Sequence, residues 1–259
     1  MANESQLIIS GILETQRLSA KTAQITDLMR ERPTQATDSQ IGEHFAALSR
    51  AYGQIAAAHL FRSEWCYVEP EWFDHRLHLL DPETHFNDFW TASSDNVISV
   101  LPLGGRLLDL CSGDGFYDYW FYRHRAQIVG IEKNQAVFDF ACLHHGDMSI
   151  SYELADVLTY QPKPEHFDTV VIRGAIEHFT RDDQQRIFRK AWTALKEGGW
   201  FCGDTPAKRG EETKALEAHE YEWRDEQEMR EELSCVFKVV ECRTLISRNR
   251  TTLLWKCQK

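Results

Sequence analysis

From residue 106 onward, short apolar runs alternate with stretches whose apolar residues recur every three or four positions. This is the pattern of buried strands separated by amphipathic helices. Runs at 106–111, 127–132, 149–154, 167–173 and 200–204 predict strands, and 237–246 with 251–257 predict a closing antiparallel hairpin around a turn containing Asn249. Helices are predicted over 116–124, 134–144 and 224–233, with one ending across 95–101 and another over 181–196 that Gly198 and Gly199 terminate. The fold class is therefore α/β, with a mostly parallel sheet that takes its ligand at the carboxyl ends of its strands.

Before residue 86 the pattern is helical. Leu7, Ile8, Ile12, Leu18, Ile25, Leu28 and Met29 form a thin apolar stripe that stops at Pro33, and a second helix follows Asp38 or Ser39 with Ile41, Phe45, Leu48, Tyr52 and Ile55 on one face. The first stripe suits either packing on its own core or a homodimer contact. Residues 65–90 are dense in aromatics, including Trp65, Trp72 and Trp90, which suits a joint between cap and core or a lid. The expected division is an N-terminal helical cap or arm over 1–85 and an α/β domain over 86–259.

Composition narrows the setting. Among 259 residues, 42% are hydrophobic and 27% charged, and no apolar run approaches the length of a bilayer span. A formal charge of −11 without a basic stripe disfavours nucleic acid as a partner. The N-terminus lacks the features of a signal peptide, and the seven scattered cysteines include no Cys-x-x-Cys pair, so reduced thiols and a cytoplasmic location are expected. His75, His78 and His85 match no ligand signature, and no metal site is assigned.

The chemistry gathers at residues 106–117, Arg-Leu-Leu-Asp-Leu-Cys-Ser-Gly-Asp-Gly-Phe-Tyr. Gly113 and Gly115 permit positive φ and close backbone approach, and the following helix offers free N–H groups. Asp109, Glu132 and Asp156 each lie at or just beyond the end of a different predicted strand. Three unpaired buried carboxylates would be costly, so together they point to a ligand with hydroxyls, a polar base and a positive charge.

These residues resemble a class I S-adenosylmethionine-dependent methyltransferase from about residue 90 to the C-terminus. The family's Asp-x-Gly-x-Gly-x-Gly motif is represented by residues 109–115, with Cys111 at its first glycine, which leaves cofactor affinity open. The resemblance implies a Rossmann-like seven-stranded sheet with a C-terminal antiparallel hairpin and S-adenosylmethionine as cofactor. It places Gly113 and Gly115 beside the methionine moiety, Glu132 on the ribose hydroxyls and Asp156 near the adenine. Residues 167–179 and 195–200 resemble the fourth-strand motif and the glycine turn before the fifth strand.

Methyl transfer from a sulfonium gains mainly from alignment, with a base needed only if the acceptor must lose a proton. His178, just beyond the fourth strand, is the candidate base and Glu177 its orienting partner. Arg173, at the end of a buried strand, could bind an anionic substrate or the cofactor carboxylate, or pair with a neighbouring acid. His219 and Trp223, after the fifth strand, are candidate acceptor-side groups within a Glu-rich stretch that would otherwise be a solvated helix. The expected acceptor is a small or saccharide-like molecule, methylated at oxygen or nitrogen. A catalytically silent methyltransferase-like scaffold and a dinucleotide-dependent oxidoreductase are the rival readings; against the latter, the third glycine of Gly-x-Gly-x-x-Gly is missing.

Overall fold

Successive side chains of a strand point to opposite faces, so the continuous apolar runs of the central strands require an apolar layer on each face of the sheet. The computed structural model, which describes residues 87–208, 219–247 and 250–259, has this arrangement. Internal contacts divide the chain into Met1–Asn87 and Asp88–Lys259. The sheet lies in the second unit, while the expected cap, the stripe of residues 4–31 and the aromatic run up to residue 86 lie outside the described residues.

In chain order the elements are α1 (Asn87–Ile98), β1 (Gly105–Leu110), a π-wound turn (Asp118–Tyr122), β2 (Ala126–Glu132), α2 (Gln135–His144), β3 (Ile150–Leu154) and β4 (Phe167–Arg173). A 3-10 turn (Ile176–His178), α3 (Arg181–Ala194), β5 (Leu195–Pro206), α4 (Glu226–Ser234), β6 (Val239–Ser247) and β7 (Arg250–Gln258) complete them. The strand order is β3-β2-β1-β4-β5-β7-β6. The first five strands run parallel, whereas β7 pairs antiparallel with both β5 and β6. The order reverses between β1 and β4, so the ligand crevice opens where these two strands end.

Leu108, Leu110, Val170 and Ile172 pack with Ile187, Phe188 and Ala191 of α3 and with Met229 and Leu233 of α4. Their neighbours Leu107 and Val171 belong to a second cluster with Val97, Leu101, Ile128 and Cys202. On that side α1 is tied to the sheet by Ser93 Oγ donating to Asp204 Oδ2 at 2.5 Å and Asn96 Nδ2 donating to the Trp255 carbonyl at 2.7 Å. Asn134, Thr180 and Asp225 start α2, α3 and α4 by accepting first-turn N–H groups on their side chains.

Three boundaries differ from the sequence pattern. The helix expected over 116–124 is wound as a π-turn, with Arg123 N–H donating to the Asp118 carbonyl at 2.8 Å, five residues back. Helix α3 stops at Ala194 because Leu195 already pairs with Phe167; the register then shifts before Thr169 meets Trp200, and Gly198 turns at φ +74°. The chain over 219–223 is irregular, and helix begins only at Glu226. Among the described residues no helix is long and apolar enough to cross a membrane.

Candidate active site

Beyond Leu110 the backbone enters the left-handed region at Cys111 (φ +62°) and again at Gly113 (+58°) and Gly115 (+73°). Left-handed backbone costs a residue with a Cβ about 1–2 kcal/mol. The glycine that the family places first in this motif thus has a conformational purpose, and Cys111 meets the same φ at a cost. Its thiol is raised well above the ordinary range, first by burial and then by the charge of Glu132. A shift in this direction favours the thiol over the nucleophilic thiolate.

Gly115 is required by a different neighbour. A Cβ there would lie 2.1 Å from Tyr152 Oη, and one on Gly130 would lie 2.7 Å from the same ring. The Tyr152 hydroxyl reaches the carbonyls of Gly115 and His145, both at 3.3 Å. Tyr152, which sequence reasoning passed over, therefore props the corner from β3.

Glu132, 9% exposed, closes the corner from β2. Its Oε2 accepts from Gly113 N–H at 3.2 Å and its Oε1 from Asn134 N–H at 2.7 Å. Burial raises its pKa, and these N–H groups oppose the shift. Asp156 accepts from Leu158 N–H at 2.8 Å. The Lys190 ammonium gathers the carbonyls of Val157, Leu158 and Tyr160, which fixes the turn after β3.

Asp109 is fully buried, and its Oδ2 lies 2.6 Å from Arg173 Nη2. Arg173 also donates to Tyr122 Oη at 2.7 Å and sits 3.7 Å above the Tyr117 ring. Of the roles open to Arg173, pairing with an acid is the one the geometry displays. Burial raises the Asp109 carboxyl although Arg173 opposes it. Asp118, also fully buried, is raised well above the carboxylate range by burial and then by Asp109.

On the other side of the crevice, residues far apart in sequence meet. Glu177, His178 and His219 each offer a ligating atom, all within 4.8 Å of one another, with Glu177 and His219 buried and His178 exposed. The two imidazoles stand edge to face, 4.7 Å between centroids. Glu177 accepts from Thr205 Oγ1 at 3.0 Å, and its carbonyl accepts from the N–H groups of Glu220 (2.8 Å) and Tyr221 (3.2 Å). His219 Nδ1 is bonded to the buried carboxylate of Glu222. Trp223 lies in the core, 1% exposed and edge-on to Tyr221, so its indole presents almost no surface to a ligand. Glu222 and Thr205 were not singled out from sequence. The spacing His219-x-x-Glu222 was the available signal, and the surrounding charge masked it.

Residues 107–199 match a protein family described as "Methyltransferase domain". A ubiquinone biosynthesis O-methyltransferase of Bradyrhizobium sp. is 34% identical over 116 residues, covering 44% of this chain and 43% of that relative. The chain thus spans less than half the length of the curated relatives it matches. Among solved structures, phosphoethanolamine N-methyltransferase 2 of Haemonchus contortus superposes with a TM-score of 0.57 at 16% identity, over 67% of this chain and 52% of the other. An S-adenosylmethionine-dependent methyltransferase of Mesorhizobium loti gives 0.53 at 18%, over 66% and 100%. These two likenesses establish the fold.

Proposed function

We propose, from the premise that residues 107–199 belong to a class I S-adenosylmethionine-dependent methyltransferase domain, that the protein methylates a small or saccharide-like acceptor at oxygen or nitrogen, with oxygen favoured. The observation that carries this reading is the convergence of Glu177, His178 and His219 at the edge of the sheet where the cofactor corner opens. The name of the Bradyrhizobium relative supports oxygen.

The residues at the corner fit the cofactor. Ser112 Oγ is buried without a partner among the described residues, and both oxygens of Glu132 keep lone pairs beyond the N–H groups they accept. Glu132 would hold the ribose hydroxyls, Asp156 the adenine side, and the backbone of residues 111–115 the methionine moiety. When bound, S-adenosylmethionine supplies a methyl carbon activated by its sulfonium. The acceptor atom forms the new bond to that carbon while the carbon–sulfur bond breaks, its electron pair staying on sulfur. The chain's part is to align the acceptor, exclude water and handle the acceptor's proton. That proton leaves at the Glu177–His178–His219 cluster, where His178 is the exposed member.

Calorimetry with S-adenosylmethionine and S-adenosylhomocysteine tests the reading. Both should bind the full chain, and Glu132→Ala should weaken binding roughly tenfold to a hundredfold, the effect of a charged hydrogen-bond acceptor worth about 1.5–3 kcal/mol. Absence of binding to folded protein would favour the silent scaffold, and saturable binding of a nicotinamide cofactor the oxidoreductase.

A further inference from the structure

We propose that Glu177, His178 and His219 bind one divalent first-row transition-metal ion, and that a hydroxyl of the acceptor coordinates this ion. The ion site stands on its own geometry; only its use on an acceptor rests on the methyltransferase reading. It also revises the expectation of a chain without a metal.

Donor atoms around one ion at about 2.0–2.2 Å stand up to about 4 Å apart. The three atoms all lie within 4.8 Å of one another, less than about 1 Å beyond that spacing, and His178 is the exposed member of the set. The two buried members are each held by a neighbouring polar side chain. The Glu222 carboxylate on His219 Nδ1 fixes the imidazole's tautomer, so Nε2 is the nitrogen turned to an ion, which is the usual support beneath a metal-bound histidine. Thr205 Oγ1 on Glu177 Oε2 holds the carboxylate in the same way. Glu220 and Tyr221 N–H on the Glu177 carbonyl fasten together the two chain segments that carry the ligands.

Two imidazoles and one carboxylate favour ions such as Mn²⁺, Co²⁺ or Zn²⁺ over Mg²⁺ and Ca²⁺, which prefer oxygen alone. A set of three protein ligands leaves positions open for exchangeable oxygens. A hydroxyl bound there becomes more acidic and releases its proton to solvent. The remaining oxygen lone pair is then available to take the methyl group, and His178 acts as a ligand to the ion.

The test uses the full chain stripped with a chelator and titrated with MnCl₂, followed by electron paramagnetic resonance and calorimetry, with MgCl₂ as contrast. One equivalent of Mn²⁺ should bind to the natural protein and be lost in His178→Ala and His219→Ala, while Glu222→Gln should weaken it about 10–100-fold. His219 is buried, so His178→Ala, altered at an exposed residue, is decisive if the other variant fails to fold. A natural protein with no equivalent that His178→Ala lacks overturns the proposal. S-adenosylmethionine binding measured on the same samples separates the two readings. Cofactor binding without the ion sinks the ion site alone, whereas ion binding without cofactor upholds the site and sinks the methyltransferase reading.

Discussion

Replacing Gly115 by Ala probes the corner most directly, because two independent costs meet at one atom. At φ +73° the added Cβ incurs the left-handed penalty of about 1–2 kcal/mol. It also lies 2.1 Å from Tyr152 Oη and 2.6 Å from Cζ, so the ring must move, and overpacking of this kind costs about 1–3 kcal/mol. Displacing the ring sacrifices its bonds to the Gly115 and His145 carbonyls, about 1 kcal/mol for two long contacts. The stiffer unfolded chain returns about 0.4–1 kcal/mol. The expected loss is about 2–6 kcal/mol, read from equilibrium urea unfolding. In a Tyr152→Ala background the steric part disappears, and the same substitution should cost only roughly 1 kcal/mol. Equal costs in the two backgrounds, or a loss under about 1 kcal/mol in the natural chain, would refute the account of Gly115 as a seat for Tyr152.

Three further outcomes are expected. Cys111→Gly should be more stable than Cys111→Ala by about 1 kcal/mol in urea, since only Gly relieves the backbone at φ +62°; the opposite order would place Cys111 outside the left-handed region. Arg173→Ala should destabilise by about 3–5 kcal/mol by stranding Asp109, and Asp109→Asn in the same chain should recover part of the loss on denaturant titration. The raised Asp118 carboxyl keeps its proton in the folded state where the unfolded chain has lost it. Its contribution therefore declines as pH rises above 3.8, with a slope of at most about 1.4 kcal/mol per pH unit, until the folded-state pKa is passed. Asp118→Asn should lack that decline in unfolding curves compared from pH 4 upward, and parallel curves would show that the folded Asp118 carboxyl is unshifted.

The core strands were legible because burial on both faces leaves continuous apolar runs such as Val170-Val171-Ile172. Gly113 and Glu132 stand out by position, since each lies at or just beyond the end of such a run, whereas Asp156 follows the half-exposed edge strand β3. What escaped was set by partners distant in sequence. Leu195 reads as helix until Phe167 claims it for the sheet. Glu222 reads as one more surface acid until His219 turns toward it in the interior. Gly115 suggested room for a ligand, whereas the atom nearest its missing side chain belongs to Tyr152. The π-turn over residues 118–122 shifts the hydrogen-bonding ladder by one residue, a change that apolar spacing does not record.

The way the chain leaves β5 and returns at His219 has a consequence for diversification. Ala207 and Lys208 are anchored by their N–H groups to the carbonyls of Thr251 and Trp223, and Glu220 and Tyr221 are anchored to Glu177. The chain is thus held on fixed posts on either side of residues 209–218, and the second post is the Glu177 carbonyl. Segments of different length and composition could be grafted between those posts without shifting His219 against Glu177.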